Sequence, residues 1–566
     1  MADFNASNTP TGINASIWAA QLQHPEEATR ARLRKVYGSD AGLLDDRLAL
    51  LRRVVERFLE QFGDRPVRIF RSPGRINLRG MHVDTHGGYL NLMTHQREVV
   101  AALAASGGAT FTFANIAPEF PETTFSIAEE AALPGFRTAW TEFIMAPEVR
   151  VHIEADRGAW GYYLRGCALR TQHAAPEKPL GGVCGVLGSD LPRGAALSSS
   201  AALCLSVITG VLAWNGATMS AIERIVAARD AEWYTGSRCG LSDQAAMVLP
   251  ASGEVLSIAL DPDTPDVSSA RRLALPDSVR VLVIHSYTER SLSGAALVAY
   301  TRNRFAYSLA MAIMQQELRN QGAPEDIVAG LGSLARLTPE ILDDLLGPGG
   351  VYALLRRIPE SLPLDALRAR YTLPGLDEAY ERYFGTVPKD ERPELIGLRG
   401  PLMFALAESQ RARAFFGALE EGQIERAGRL MSVGHDGDRH IAAGGAPYAY
   451  DVSDAALERR MAEGTPVEMC PGVYGASSPV LDALVDAALE GGALGASLTG
   501  AGIAGAVLAL CRAEDAERVA YAVRARLSSP GYAALAGLDG PLSAREAAQG
   551  VCINRAISPA GELLLG

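Results

Sequence analysis

From residue 44 to 62, large apolar residues fall at Leu44, Leu48, Leu51, Val55, Phe58, Leu59 and Phe62, with charged residues between them. Intervals of three and four put them on one side of a helix, and Gly63 directly after them suits its C-terminal cap. The period then changes. "PVRIF", 66–70, alternates and predicts a short strand. Ser220 and Glu223, in "SAIE", have the spacing of a capping box and predict a helix running to about Tyr234. "VRVLVIHS", 279–286, suits a buried strand. From about 300 to 430 the chain reads almost wholly helical, punctuated by Gly347, Pro348, Gly349 and Gly350 and by Pro359 and Pro363. The first 40 residues read as a loose, partly helical arm. Neither a 20-to-50-residue repeat nor a low-complexity tract is evident. The predicted class is α+β: an arm and amphipathic helix over 1–62, a domain over 63–275, and a second over 276–566 carrying a helical insertion at about 320–400.

Composition narrows this picture. At 566 residues and 48% hydrophobic the chain can bury a large core. Its 53 basic against 65 acidic residues give −12, which argues against nucleic acid or an anionic membrane as partner. Seven cysteines are scattered and never spaced C-x-x-C, as expected of reduced thiols in a cytoplasmic protein. "MADFNASNTPTG" lacks the charged start and apolar run of a signal peptide. The uncharged stretch 491–511 holds six glycines, each costing about 1 kcal/mol in a helix, so a membrane span is not expected there. Its end, "IAGAVLALC", suits a buried strand.

Three glycine-rich segments and one acid carry the candidate chemistry. "SPGRINLRGMHVDTHGGYLN", 72–91, concentrates His82, His86, Asp84, Arg75 and Arg79. A zinc site would need His82 and His86 on one helical face, and Gly80, Gly87 and Gly88 oppose a helix there. In "LGSDLPRGAALSSSAAL", 187–203, a turn at Pro192–Gly194 leads into Ser198, Ser199 and Ser200 and an Ala-rich helix beginning near Ala201. A helix start offers unpaired N–H groups and partial positive charge, which suits phosphate; the ordinary alternative is a serine N-cap. The lysine of a nucleotide-binding P-loop is missing. "LTGAGIAGAV", 498–507, places Gly500, Gly502 and Gly505 before a strand, where backbone can approach a ligand or another backbone. Asp243, in "RCGLSDQAAMVLP", precedes a helix, a place where aspartate more often caps than catalyses.

Taken together and in this order, these segments resemble the GHMP kinase superfamily and, within it, the galactokinase group. "FLEQFGDRPVRIFRSPGRINLRGMHVDTHGGYLN" is similar to the galactokinase signature region, "LPRGAALSSSAAL" to the superfamily's phosphate loop and "CGLSDQ" to the galactokinase "CGIMDQ". "RSLSGAALVAYTRNR", "AGRLMSVGHDGDR" and "LTGAGIAGAV" resemble later family segments. The resemblance covers about 45–530 with gaps, leaving the first 40 residues and roughly 320–400 without a counterpart. It implies two α+β domains with the active site in the cleft between them, and ATP- and Mg²⁺-dependent phosphorylation of a monosaccharide at its anomeric hydroxyl. The alternative is a sugar- and ATP-binding regulator of the same descent with little turnover, against which the retained Asp243, Arg75 and "LSSSAA" argue.

By that resemblance Asp243 matches the catalytic aspartate and Arg75 its arginine partner. His82, Asp84 and Tyr300 match sugar-contacting positions. Gly194, Ser198, Ser199, Ser200, Ala201, Gly500 and Gly502 match the phosphate-binding surroundings, with Ser200 and Glu232 as Mg²⁺ ligands. Two departures stand out. The interval from Glu232 to Asp243 is one residue shorter than in typical galactokinases, and Met81 replaces a glutamate that contacts the sugar's 6-hydroxyl. Methionine accepts such a bond poorly, which favours galacturonate or arabinose over galactose. Plant galacturonate kinases also carry a small apolar residue at that place. Arg79 replaces a usual aliphatic residue.

Overall fold

The computed structural model describes residues 3–4, 11–155, 159–192, 194–237, 239–261, 265–289, 294–385 and 387–565, without the side chains of 3–4, 152, 154–155 and 294–300. Two strands dominate the first half: Pro66–Arg79 and Tyr89–Ala105, paired antiparallel along nearly their whole length. They belong to a nine-stranded sheet, whose main path runs Arg271–Ala274, Glu254–Ala259, Tyr89–Ala105, Val183–Ser189, Phe111–Asn115, Thr123–Phe125. Among the described residues only the Phe111–Asn115 and Val183–Ser189 pair is parallel.

Side-chain alternation sorts the residues of this sheet into two layers. Val67, Ile69, Val100, Ala102 and Ala104 face one way, onto Leu50, Leu51, Val54, Val55 and Phe58. Phe70, Ala101 and Leu103 face the other, onto the helices Gly161–Ala174, Ser199–Trp214 and Ala221–Tyr234. A second, four-stranded antiparallel sheet runs Gly495–Thr499, Ala506–Arg512, Val279–His285, Val551–Ile553. Leu282, Ile284, Val507 and Ala509 pack beneath the helices Pro479–Glu490 and Ala516–Leu527.

Several predicted elements take a different form. The strand expected at 66–70 continues to Arg79, because buried polar partners from distant segments accommodate its arginines; register shifts between Pro73 and Arg75 and between Asn77 and Arg79 re-aim its side chains. The amphipathic helix starts at Ala41, where the Asp40 side chain accepts from the Leu43 amide at 2.8 Å. Its buried stripe is Leu43, Arg47, Leu50, Leu51, Val54, Val55 and Phe58, whereas Leu44, Leu48, Leu59 and Phe62 lie at the margin. Arg47 belongs inside because its guanidinium meets Asp190 at 3.1 Å.

The N-terminal arm is not loose beyond residue 11. Helices Ala15–Gln23 and Glu27–Tyr37 bury Trp18, Leu22, Leu33 and Tyr37 in the same layer as the amphipathic helix. The C-terminus returns to this sheet as well, with Gly561–Leu563 pairing antiparallel to residues 69–71. Among the described residues between 294 and 436 the helices are interrupted by one two-strand pair, Ser361–Leu362 with Ile396–Gly397. The uncharged stretch 491–511 supplies the two strands of a sheet, and among the described residues no helix is long and apolar enough to cross a membrane.

Candidate active site

A cleft of about 520 Å³ opens where the long strand, the serine loop and the 500–504 turn converge. Arg75 reaches across its floor. Its Nε donates to Asp243 Oδ1 at 2.7 Å, its Nη2 lies 2.7 Å from the same oxygen, and its Nη1 donates to the Ala196 carbonyl. The other carboxylate oxygen, Oδ2, accepts from Ser198 Oγ. Asp243 stands in the first turn of the helix Ser242–Val248, and Ser198 at the N-cap of Ser199–Trp214, whose first residue lies two before the predicted Ala201. Ser198 makes no side-chain capping bond. Its backbone sits at φ 57°, which turns the hydroxyl toward Asp243 instead of the helix amides.

Positive φ at residues with a side chain is costly, and it gathers here: His82, Ala196 and Ser198 adopt it in the cleft lining, and Ile503 within the 500–504 turn beside it. The glycines of the two loops permit the approach. A Cβ on Gly505 would sit 2.7 Å from the Ala196 Cβ, and one on Gly502 would sit 2.1 Å from the Ala476 carbonyl oxygen. Thr499 joins the second sheet to the first, its Oγ1 accepting from the Asn77 amide and donating to the Asn77 carbonyl, both at 3.1 Å.

Asp84 begins the 3₁₀ turn Asp84–His86 and accepts from Ser242 Oγ at 2.8 Å. Gly240 leaves room for it, since a Cβ there would meet Asp84 Oδ2 at 2.2 Å. Burial, with the nearby Asp243, raises Asp84 above the usual carboxylate range. The two histidines diverge: His82 stacks on Tyr474 at 4.3 Å, and His86 packs against Tyr307 at 4.3 Å. Burial and Arg304 hold His86 down at about 4, so it is neutral at physiological pH.

Glu232 is buried, and its hydrogen-bond partners among the described residues are neutral. Ser200 Oγ donates to it at 2.6 Å and Gln244 Nε2 at 2.5 Å, with Cys239 Sγ at 3.6 Å. Burial and Asp243 push its pKa up to about 7. A carboxylate and a hydroxyl side by side in that setting are hard oxygen donors suited to a divalent cation. The short interval to Asp243 does not separate them, since both acids line the cleft.

Gly194, Ser198, Ser199, Ser200, Gly500 and Gly502 also line it. Ala201 does not reach the cleft: it is fully buried in the core beneath the serine loop. The side chain of Tyr300 lies outside the described residues. Met81 does not reach the cleft either. It is 1% exposed and packs with Leu282, Ile284 and Leu484 in the core of the second sheet. The expectation that residue 81 faces a sugar is therefore overturned. Arg79 turns away too, through space that Gly434 leaves open, to donate to Ser497 Oγ at 2.9 Å and the Met431 carbonyl at 3.3 Å. Sequence reasoning missed Ser242, Arg304, Tyr307 and Tyr474, all of which line the cleft. Arg304 stood within a segment of family resemblance; Tyr474 carried no local signal.

This architecture is that of a GHMP kinase. Three family descriptions match the chain: the galactokinase galactose-binding signature over residues 56–105, the GHMP kinase N-terminal domain over 162–250 and the GHMP kinase C-terminal region over 453–529. The galactokinase of Chloroflexus aggregans is 30% identical over 298 residues, 52% of this chain and 67% of that relative. That of Roseiflexus sp. is 31% identical over 46% of this chain, which spans 58% of the relative's length. The crystal structure of Lactococcus lactis galactokinase complexed with galactose shares the fold, with TM-score 0.59 and 19% identity over 90% of this chain and 98% of that one. The chain belongs to the galactokinase family.

Proposed function

We propose that this chain is an ATP-dependent sugar 1-kinase, transferring the γ-phosphoryl group to the anomeric hydroxyl of galactose or of a relative such as galacturonate or arabinose. The observation that carries this reading is the Asp243 carboxylate, held from two sides by Arg75 and Ser198 between the Asp84 floor and the glycine-rich loops. An acceptor hydroxyl placed beside Asp243 gives up its proton there as the bond to phosphorus forms, and Arg75 offsets the charge on the phosphoryl oxygens. His82, Asp84 and Tyr300 are the sugar contacts in this reading. Gly194, Ser198, Ser199, Ser200, Gly500 and Gly502 surround the phosphates, beside a helix start whose free N–H groups face anions.

Ser200 and Glu232 are the residues that would hold Mg²⁺, which supplies charge neutralisation when bound. The fit rests on a buried acid raised to about 7 whose hydrogen-bond partners, among the described residues, are neutral. Among the described residues no group of three His, Cys, Asp or Glu could hold a metal, so the phosphates of ATP would complete the ligand set, as is usual for this ion.

A coupled assay of galactose, galacturonate and L-arabinose with ATP, with and without Mg²⁺, tests the reading. The expected outcome is Mg²⁺-dependent turnover of at least one sugar. Sugar and ATP binding without turnover would replace the kinase with the regulator.

A further inference from the structure

Most polar side chains that line the cleft bond to another part of the protein. Tyr307 is different. The residue is 2% exposed, its ring forms part of the cleft wall, and its hydroxyl is buried with no hydrogen-bond partner among the described residues. It sits on the helix Gly294–Asn320, one turn beyond Arg304, which also lines the cleft. The ring is fixed on two sides, against His86 at 4.3 Å and edge-on to Tyr474 at 6.2 Å and 86°. Burial, the Tyr474 phenol and the Asp84 carboxylate all raise its pKa, so the group is a neutral O–H donor. A rigid donor left unbonded in a walled site is what a ligand hydroxyl satisfies.

We propose that Tyr307 is a sugar-binding residue of this chain, its phenol donating to a ring hydroxyl of the acceptor that lies on the Asp84 side of the cleft. A hydroxyl there accepts from Tyr307 while donating to Asp84, so one sugar oxygen engages both residues. That pairing selects a particular hydroxyl of the acceptor, because an analogue lacking it leaves two buried groups unpaired. The inference rests on the sugar-kinase reading.

The test is Tyr307→Phe in the full-length protein, with whichever of galactose, galacturonate and L-arabinose is turned over best. The variant keeps the ring and its packing and removes only an unbonded hydroxyl, so its thermal midpoint should equal or exceed that of the wild type. KM for the sugar should rise roughly 5- to 100-fold, with KM for ATP unchanged. Monodeoxy analogues of the same sugar sharpen the result: for one of them, wild type and Tyr307→Phe should perform alike. Unchanged sugar KM in a turning-over variant overturns the contact and leaves the kinase standing. A fall in thermal midpoint with equal losses on every analogue assigns Tyr307 to packing and also overturns it. Wild type that turns over no sugar defeats the kinase reading, and the contact with it.

Discussion

Arg75 and Arg79 lie four residues apart on one strand, each facing a carboxylate brought from far along the chain, and the two pairs differ in what they leave over. Asp243 keeps 22% of its side-chain surface open to the cleft, and both of its oxygens are held by groups that also border the cleft. Glu408, on the helix Arg399–Glu420, has none exposed. It accepts from the Gly80 amide at 2.7 Å and the Met81 amide at 3.2 Å, and it pairs with Arg79 at 3.4 Å and with Arg411. Burial alone would raise Glu408, yet Arg79 and Arg411 more than offset that and leave it below the usual range. One pair borders the open cleft and the other is spent within the protein, pinning the strand to the helical segment. An arginine and a carboxylate in contact therefore say nothing about chemistry until their remaining surface is known.

Substitutions can break or sharpen that contrast. Asp243→Asn should lower kcat by about 10²–10⁴-fold while the thermal midpoint stays near that of the wild type; turnover within threefold would remove Asp243 from the reaction. For Glu408→Gln the order should reverse. Two buried guanidinium groups lose their anion, so stability should fall by about 3–5 kcal/mol in denaturant unfolding, with kcat of the folded fraction within tenfold. A kcat loss matching that of Asp243→Asn would erase the distinction between the pairs.

Met81→Glu comes next. It places an unpaired carboxylate in the apolar core of the second sheet, which should cost about 2–4 kcal/mol and leave the ranking of galactose, galacturonate and arabinose unchanged. A selective gain for galactose would mean that residue 81 meets the sugar.

The smallest effect concerns a buried acid that bonds to no guanidinium among the described residues. Glu232 is raised in the folded state to about 7, above its unfolded value. It therefore stabilises the fold fully below the unfolded pKa, and that contribution is lost as pH rises through about 7. Without divalent cations, Glu232→Gln should have a higher thermal midpoint than wild type at pH 8, by about 3 kcal/mol in stability, and the gap should close toward pH 4.5. The same substitution should weaken the Mg²⁺ dependence of turnover. Parallel thermal midpoints across pH 5–9 would show that Glu232 is not the titrating group.

Local pattern determined a good deal. The capping box at Ser220 and Glu223 forms with both reciprocal bonds, "VRVLVIHS" is a buried strand over Val279–His285, and Gly63 closes the amphipathic helix with its amide on the Leu59 carbonyl at 3.0 Å. These depend on neighbours within a few residues, so periodicity and turn chemistry suffice to read them. The order of the glycine-rich segments likewise pointed to the family. What remained illegible depends on partners far along the chain. Whether Arg79 faced the sugar or the interior was set by Gly434, Ser497 and Glu408. Where Met81 points followed from the sheet packed behind it, and Ser198 gave up its cap for an acid 45 positions on. The same holds for the cleft wall: Tyr307 and Tyr474 meet only when the chain has closed, and no spacing along the sequence encodes an encounter between segments 167 residues apart.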